Sequence, residues 1–370
     1  MNLETIPTPA LILDVERVRR NATRIGRRVT DFGARLRPHV KTHKCIEVAR
    51  IQTSGHSGAL TVSTLAEARA FAAAGFSDIT YAVPIEPGKF ESAIDVARMC
   101  SRLAVLTDDT EIPRLLNDAA HKAGIILDLF LKVDSGYHRC GVEPDSEEAI
   151  SIPAEIEKCS NLQFAGILTH AGHSYQPDQS ERLKVARHER DVMVELAERL
   201  RASGIEVPTV SIGSTPSITI VDHLNGVDEA RPGNYIFFDA FQAAIGSCSF
   251  DDCALTVLAA VVHRNGRHNK LVIDAGAIAL SKDRGAVDFQ PGCGYGRVLD
   301  LEGRDLGLTV SSVSQEHGEI LSQNCDNKVV VGDRVRVLAN HSCLSAAQHS
   351  HYYILERGEI VDKWPIVRGW

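Results

Sequence analysis

Short apolar runs alternate with segments of helical spacing through the first two thirds of the chain. In the segments between the runs, apolar side chains recur every three or four positions, as on one face of a helix. Helices are predicted, for example, at Leu65–Ala74, Thr110–Ala123 and Glu181–Ser203, and strands at Leu36–Val40, Ala59–Ser63, Asp78–Val83, Leu103–Thr107, Leu127–Val133, Phe164–Thr169, Val207–Ile212 and Glu229–Arg231. Eight such units in about 230 residues favour a (β/α)8 TIM barrel over an open doubly wound sheet.

The pattern changes after Phe241, where helical periodicity fades. Apolar runs separated by Gly, Asn and Asp turns predict strands at Leu255–Val262, Lys270–Ile273, Val329–Leu338 and Tyr352–Leu355. We expect the N-terminal strand Ala10–Asp14 to join this second, mostly β domain. The predicted organisation is therefore a barrel at residues 16–241 and a C-terminal β domain at residues 242–370 that includes residues 1–15.

Composition narrows the class of protein. The 370 residues are 44% hydrophobic and 24% charged, with a net charge of −8 and a pI near 6.0, as in a soluble globular protein. An acidic protein is a poor partner for nucleic acid or an anionic membrane, so a small-molecule substrate is expected. The N-terminus lacks a signal-peptide pattern, which predicts a cytoplasmic protein. Nine scattered cysteines without a C-x-x-C pair are expected to be mostly reduced, buried and inert.

Lys41 stands where the first predicted barrel strand ends and a helical segment, Lys44–Thr53, is about to begin. Active sites of such barrels are built at the C-terminal ends of the strands, and a lysine held there can form a Schiff base. Taken alone, a lysine at a strand end is more often a solvated surface charge. Its assignment therefore depends on the other motifs.

Four further polar motifs follow predicted strands, at residues 134–141, 169–175, 213–217 and 231–235. Together with Lys41 they would ring one face of the barrel. The Gly213–Ser217 loop ends a strand and opens a helix, so its N–H groups and hydroxyls could hold a phosphate. The same residues are equally typical of an ordinary strand–helix turn with a serine N-cap. Likewise, Arg139 alone could be a surface ion pair, and His170 alone a buried imidazole.

The C-terminal domain contains the sequence N-H-S-C at residues 340–343. Residues two apart on an extended strand face the same side, so His341 and Cys343 could share a soft cation such as zinc. Water and substrate could fill the remaining positions, as in catalytic zinc sites. His349 and His351 are possible further ligands, although their segment is equally typical of a strand.

Six segments, in order along nearly the whole chain, together resemble the D-serine dehydratase-like proteins. These belong to the alanine-racemase-like, fold type III enzymes, which use pyridoxal phosphate. The segments are R-P-H-V-K-T-H-K (37–44), D-S-G-Y-H-R-C-G (134–141), T-H-A-G-H-S-Y (169–175), G-S-T-P-S (213–217), Q-E-H-G (315–318) and N-H-S-C (340–343). The resemblance implies a cofactor-carrying barrel, a metal-carrying β domain and a homodimer.

The resemblance also implies roles for particular residues. Lys41 would carry pyridoxal phosphate as a Schiff base and act as the catalytic base. Arg139 would lie near the phenolic oxygen of the cofactor, and His170 would pack on its ring. The other expected cofactor contacts are Tyr175, Gly213, Ser214, Thr215, Gly233, Asn234 and Tyr235. His341 and Cys343 would bind zinc.

The expected activity is a dehydratase that converts a D-β-hydroxy amino acid, D-serine or D-threo-3-hydroxyaspartate, to a keto acid and ammonia. Related aldolases usually carry H-x-D at the metal site and a G-G-G-T phosphate loop, whereas this chain has H-x-C and G-S-T-P. That difference favours elimination over aldol cleavage. A racemase would need a second acid/base on the opposite face of the cofactor. A non-catalytic cofactor carrier would lack the C-terminal domain.

Overall fold

The computed structural model describes residues 2–321 and 329–370, and the chain forms two compact units. The first comprises the N-terminal residues through Ala22, then Thr42–Val48 and Asn234–Ile366. The second comprises Thr23–Lys41, Ala49–Gly233 and Val367–Trp370. Because the units interleave along the chain, the boundaries expected from the sequence, 16–241 and 242–370 with 1–15, stay a prediction.

Strands and helices alternate over the first two thirds of the chain. In order they are β1 (Ala10–Asp14), α1 (Val15–Asp31), β2 (Arg35–Leu36), α2 (Ile46–Thr53), β3 (Leu60–Val62), α3 (Leu65–Ala73), β4 (Asp78–Pro84), α4 (Phe90–Ala97), β5 (Arg102–Thr107), α5 (Ile112–Ala123), β6 (Leu127–Lys132), α6 (Glu148–Lys158), β7 (Leu162–Leu168), α7 (Gln179–Ala202), β8 (Val210–Ile212), α8 (Thr215–Ile220), β9 (Glu229–Ala230) and α9 (Ala240–Ala244). Short 3-10 turns occupy Val40–Thr42, Pro87–Lys89, Gly172–Ser174 and Asn234–Ile236.

Strands dominate the rest of the chain. They are β10 (Leu255–Asn265), β11 (Lys270–Ile273), β12 (Gly296–Leu299), β13 (Asp305–Val313), β14 (Gly318–Leu321), β15 (Arg334–Ala339), β16 (His351–Glu356) and β17 (Glu359–Pro365), with helices α10 (Ala277–Leu280) between β11 and β12 and α11 (Ser342–Gln348) between β15 and β16. Two further 3-10 turns lie at Phe250–Asp252 and Pro291–Cys293.

The second unit is the predicted barrel. Its eight parallel strands lie in the order β2-β9-β8-β7-β6-β5-β4-β3, and a parallel bridge between His39 and Thr61 joins the two edge strands. All eight predicted strands are present. The first ends at Leu36 rather than Val40, because Pro38 lacks a donor N–H and the chain then enters a 3-10 turn. Pro38 still accepts a hydrogen bond from the Thr61 N–H at 2.9 Å, which helps to close the ring.

A buried ion cluster ties this closing strand to the barrel. Arg37 is 2% exposed and donates to both carboxylate oxygens of Asp78, at 2.8 and 3.0 Å, and to Glu229 at 2.8 Å. Burial opposes the charge of Arg37, but these two carboxylates outweigh it and raise the pKa of the guanidinium. The cluster joins residues that follow β2, begin β4 and begin β9.

The first unit contains a nine-stranded sheet in the order β11-β14-β13-β12-β15-β10-β1-β16-β17. As predicted, the N-terminal strand β1 joins it, antiparallel to β10 and parallel to β16. Alternate side chains of β1 point to one face, where Ile12 packs in a cluster with Ile6, Leu258 and Tyr353. Apolar burial on that face explains why residues so distant from the C-terminus in sequence complete its sheet.

The cysteines test one further prediction. The eight described cysteines are free, but only Cys45 and Cys253 are buried, so the prediction that most would be buried is wrong; Cys325 lies outside the described residues. Within the described ranges, no helix combines the length and apolar composition needed to cross a bilayer.

The barrel closes at a seam where β2 and the residues after it pair with β9 and β3. Removing the Arg37 guanidinium at this seam should destabilise the protein strongly. Arg37→Met leaves two carboxylates without their buried counter-charge, which costs about 3–5 kcal/mol of unfolding free energy. Urea unfolding measures this loss. The matched control is Arg69→Met, because Arg69 is half exposed and pairs with Asp95 at 3.4 Å. We expect the control to change stability by less than about 0.5 kcal/mol, and equal losses in the two variants would contradict this account of the seam.

Candidate active site

Lys41 lies in the 3-10 turn that follows the closing strand of the barrel. The preceding backbone is fixed, because the His39 N–H donates to the Pro232 carbonyl at 3.0 Å and the Val40 side chain is fully buried. Lys41 itself is exposed. A fixed backbone with an accessible amine is what covalent bonding to a carbonyl compound requires.

The loops after β6 and β7 meet through Tyr137. Its ring lies edge-on to His170 with centroids 6.3 Å apart and is stacked on His173 at 6.1 Å. The Arg139 guanidinium lies 5.3 Å from the centre of the Tyr137 ring, within cation–π range. A Cβ on Gly172 would come within 2.2 Å of that ring, so a larger residue there would displace the Tyr137 ring from this position. Tyr137 therefore brings Arg139 and His170, two of the predicted residues, to one place.

Asp134 shapes the loop that carries Tyr137 and Arg139. One oxygen of its carboxylate accepts the backbone N–H groups of Gly136, Tyr137 and His138 at 2.9, 2.9 and 3.1 Å. Burial alone would raise the pKa of Asp134, but these three hydrogen bonds favour the ionised form and lower it. The loop geometry is thus fixed by a single charged side chain.

His170 is held neutral by its surroundings. Burial is the largest cause, and nearby positive charges act in the same direction, so the pKa of His170 lies well below its ordinary value. The contributing cations are Lys41, Arg139, Arg231 and Lys132. A neutral, partly exposed imidazole next to several cations can pack on an anionic aromatic ligand without adding a charge of its own.

Ser214, in the Gly213–Ser217 loop, is the N-cap of helix α8. An N-cap was one of the two interpretations of this loop from the sequence, and a phosphate site was the other. Ser214 accepts the Ser217 N–H at 3.2 Å, and its hydroxyl is 2.9 Å from that of Ser174. Gly213 has a φ of +113°, and a Cβ there would lie 3.3 Å from the Arg231 amide nitrogen. Thr215 is buried at 1% exposure. The serine cap at the start of helix α8 is compatible with a phosphate, since a helix N-terminus binds anions through backbone N–H groups.

Glu189, on helix α7, joins the loops after β7 and β8. It is fully buried, and one carboxylate oxygen accepts the Ala171 N–H at 3.0 Å and the Gly213 N–H at 3.2 Å. Sequence reasoning did not identify this residue. A signal was present, because Glu189 falls three residues after Ala186 and four before Met193, on the apolar face of the helix.

The predicted phosphate contacts at residues 233–235 are all buried. The side-chain amide of Asn234 donates to Asp239 at 2.7 Å and to Ser342 at 3.2 Å, and lies 3.6 Å from the Cys343 sulfur. The Asn234 side chain is therefore grouped with the candidate metal ligands rather than directed at a phosphate loop. Tyr235 is fully buried, whereas Tyr175 is partly exposed.

His341 and Cys343 do not lie on a strand, so that part of the sequence interpretation is wrong. His341 is the N-cap of helix α11, with extended backbone angles, and Cys343 is in its first turn. The chain bends there because Asp239 accepts the Ser342 N–H at 3.1 Å and the Ser342 hydroxyl at 3.2 Å. The two candidate ligands are nevertheless close enough to interact directly.

Asp283 orients the imidazole of His341. Its carboxylate lies 2.8 Å from His341 Nδ1, which leaves Nε2 as the nitrogen available to a cation. Although burial opposes a charged imidazole, Cys343 and Asp283 raise the pKa of His341 to about 11. Burial likewise opposes the thiolate, but His341 outweighs it and lowers the pKa of Cys343. The pair thus favours the thiolate form that metals bind.

Thr42 and His43 are anchored beside this pair. The Cys343 sulfur lies 3.3 Å from the Thr42 hydroxyl, and the buried Tyr352 hydroxyl donates to the His43 carbonyl at 2.7 Å. These contacts fix the residues that directly follow Lys41 in the chain. His349 and His351, the other possible ligands, have neighbours elsewhere: the Ala279 carbonyl at 3.3 Å and the Ser350 hydroxyl at 2.8 Å.

The donor chemistry fits the two groups that the sequence resemblance implies. A thiolate and an imidazole suit zinc, and an imidazole held by a carboxylate is the usual arrangement around such ions. The accessible amine of Lys41, the cation Arg139 and the helix N-terminus that follows Ser214 fit an aldehyde that carries a phenolate and a phosphate. Among the described residues, the buried side-chain oxygen of Asn234 has no hydrogen-bond partner, so one polar atom near the candidate metal ligands can still accept a hydrogen bond.

Known proteins resemble this chain over its whole length. The alanine racemase N-terminal domain model matches residues 13–240, and a serine dehydratase domain model matches residues 254–355. D-threo-3-hydroxyaspartate dehydratase of Delftia sp. (strain HT23) is 37% identical, over 100% of this chain and 99% of that protein. D-serine dehydratase of Dictyostelium discoideum is 33% identical, over 100% and 98%.

Structural similarity gives the same result. The Delftia enzyme has a TM-score of 0.96 at 35% identity, with 100% of both chains covered. A cysteine-to-alanine variant of D-threo-3-hydroxyaspartate dehydratase, described as the metal-free form, has the same score. A 3-hydroxy-D-aspartate aldolase of Paracoccus denitrificans is 29% identical over 99% of this chain and 93% of that protein. The fold predicted from the sequence is confirmed.

The neutral state of His170 should make stability depend on pH. Because its folded-state pKa is depressed, the unfolded chain takes up a proton first, so stability is present above the ordinary histidine pKa of about 6.5 and falls as the pH decreases below it. Urea unfolding at about pH 7.5 and about pH 5.5 should show a fall roughly 1 kcal/mol larger in the wild type than in His170→Phe. His121→Phe, at an exposed position, is the control and should behave as the wild type. An equal fall in all three proteins would contradict the neutral assignment.

Proposed function

Because the chain belongs to the D-serine dehydratase-like group of the alanine-racemase-like, pyridoxal-phosphate-dependent enzymes, we propose that it is a dehydratase of D-β-hydroxy amino acids. The substrate would be D-serine or D-threo-3-hydroxyaspartate, and the products a keto acid and ammonia. The observation that carries the proposal is the His341–Cys343 pair oriented by Asp283, in a chain that matches two such dehydratases over its whole length.

Lys41 is proposed to carry the cofactor and to move the proton. Pyridoxal phosphate, when bound, withdraws electrons from the substrate Cα and so acidifies its proton. The accessible amine of Lys41 would take up that proton at its Nζ. The low pKa of His170 supports a role in packing on the cofactor ring, since a neutral imidazole leaves proton transfer to Lys41.

The remaining cofactor contacts are proposed from the loops that surround Lys41. Arg139, placed by Tyr137, would pair with the phenolic oxygen, and Tyr175 would lie near the cofactor. Glu189 would hold the loops after β7 and β8 at a fixed separation. The phosphate would be bound by Ser214, Thr215, Gly233 and the backbone of Asn234, with Gly213 and Tyr235 as further cofactor contacts.

His341 and Cys343 are proposed to hold zinc. Hydroxide is a poor leaving group, and a Lewis acid at the β-hydroxyl of the substrate would neutralise its developing charge. Asp283 would keep the imidazole of His341 in the tautomer that presents Nε2. Thr42 and Asn234, both near the Cys343 sulfur, would fix the position of the thiolate.

The nearest alternative is an aldolase acting on similar substrates. Aldolases such as that of Paracoccus denitrificans are more distant relatives than the two dehydratases. The H-x-C sequence at residues 341–343 supports elimination rather than aldol cleavage. A racemase or a non-catalytic cofactor carrier explains neither the metal-ligand pair nor Asp283.

Further expectations from the sequence also stand as proposals. The protein would be a homodimer in the cytoplasm that binds a small-molecule D-amino acid as its substrate. Nucleic acid and membranes would not be partners, in line with the acidic composition. The functional boundaries would be a barrel at 16–241 and a β domain at 242–370 with 1–15.

The proposal predicts a metal-dependent release of keto acid and ammonia. The cofactor-loaded protein should form both products from D-serine and D-threo-3-hydroxyaspartate, lose this activity on chelation by at least about a hundredfold, and regain it with zinc. Coupled assays for keto acid and ammonia measure the rates, and glycine is quantified in parallel. Lys41→Ala should be inactive with or without zinc.

The outcomes separate the alternatives. Glycine plus an aldehyde would mean an aldolase and would show that Cys343 does not determine the reaction. Elimination that persists unchanged after the metal has been removed would contradict the role of zinc while leaving the cofactor assignment in place. A product of inverted configuration at Cα, with neither keto acid nor glycine, would mean a racemase.

A further inference from the structure

Arg336 is a buried cation that forms no direct ion pair with a carboxylate in the described part of the chain. It lies on β15 between β10 and β12 and is 6% exposed. Its Nε donates to the Thr256 hydroxyl at 2.9 Å and its Nη1 to the Leu301 carbonyl at 3.3 Å, and both acceptors are neutral. Within the described residues, Nη2 has no hydrogen-bond partner. Burying a charge without a counter-ion is costly, so the side chain requires an explanation.

The carboxylates closest to Arg336 are occupied by other arginines. Asp14 pairs with Arg17 at 3.1 Å, and Asp300 pairs with Arg304 at 2.6 Å. Burial, followed by repulsion from Arg17, lowers the pKa of Arg336 to about 10.

A cavity of about 240 Å³ opens beside this guanidinium. Apolar side chains and further arginines share its wall, and the Arg297 guanidinium stacks 4.2 Å from the centre of the Phe250 ring. Asp251 also lines this cavity. It has no ion pair among the described residues, and it is exposed to solvent. The lining that matters here is Arg336, Arg17, Arg297, Phe250, Leu299 and Leu338.

A second cavity, of about 660 Å³, also borders Arg17 and Arg336. Its wall carries four acidic residues, Glu4, Asp14, Glu302 and Glu359, which would repel an anion. The smaller cavity has two carboxylates, Asp251 and Asp305, against four arginines, Arg17, Arg297, Arg304 and Arg336, and part of its wall is apolar. An anion is thus favoured in the smaller cavity.

We propose that this cavity is a binding site for a small organic carboxylate, whose two oxygens accept hydrogen bonds from Arg336 while its carbon chain packs on Phe250, Leu299 and Leu338. A guanidinium with free N–H groups matches the planar geometry of a carboxylate. The volume lies below that of most drug-sized sites, which suits a ligand of only a few carbon atoms. None of its lining residues belongs to the candidate active site, so the proposal does not depend on the proposed function.

Calorimetric titration of the cofactor-loaded protein with acetate and with propionate, at constant ionic strength maintained with chloride, tests the site. We expect saturable binding in the wild type, with propionate tighter than acetate. Arg336→Met should weaken this binding at least about tenfold, because one charge-assisted hydrogen bond or more is lost. Arg114→Met, at an exposed position on α5, is the matched control and should bind as the wild type does.

Two further variants keep the result interpretable. Cys343→Ala alters the candidate metal site and should leave the Arg336-dependent binding intact, which separates it from carboxylate binding at the active site. Arg297→Met removes a second cation and leaves Asp305 unpaired, so it should also weaken carboxylate binding. If Arg336→Met fails to fold, Arg297→Met is the variant that tests the site. Carboxylate binding that is equal in wild type, Arg336→Met and Arg297→Met would overturn the proposal. Saturable binding of inorganic phosphate without any of propionate would overturn the ligand class.

Discussion

The closing of the barrel at the strand before Lys41 is the constraint on which the candidate site depends. Strand β2 pairs with β9, the following residues pair with β3, and the buried Arg37 guanidinium bridges Asp78 and Glu229 at the same place. Every residue between the seam and Lys41 is therefore fixed by the ring of strands. The residues after Lys41 are fixed as well, because the carbonyl of His43 accepts the buried Tyr352 hydroxyl. A lysine that directly follows the fixed strand end suits a group that must meet one atom of a substrate.

The barrel could be predicted from the sequence because parallel strands are buried on both faces and read as continuous apolar runs. The predicted β11 and β1 match the observed strands in both bounds, Lys270–Ile273 and Ala10–Asp14. The segment at residues 341–343 was harder to predict. Spacing alone placed His341 and Cys343 on a strand, but hydrogen bonds from Ser342 to the distant Asp239 begin a helix there. Tertiary contacts of this kind leave no local pattern.

Much of the support around the site was also invisible in the sequence. Asp283 and Asp239 act on residues 58 and 103 positions away, so no local motif could indicate them. Glu189 was detectable in principle, as a charged residue on the apolar face of α7. Tyr137 belongs to the motif at residues 134–141, in which only Arg139 was predicted to contact the cofactor. Asp283 and Asp239 depend on long-range packing, which the sequence does not show. Glu189 could have been found by asking which polar residues are buried within correctly predicted segments.

The most direct test asks which lysine carries the cofactor. Lys132 is the alternative attachment site, because burial and the charge of Arg231 lower its pKa to about 8. A lower pKa increases the fraction of neutral amine, which is the nucleophilic form. Borohydride reduction of the cofactor-loaded protein, followed by peptide mass mapping, identifies the modified residue. This account predicts the reduced cofactor on the peptide that contains Lys41, and no labelled peptide in Lys41→Ala. Reduced cofactor on Lys132 in the wild-type protein would contradict it.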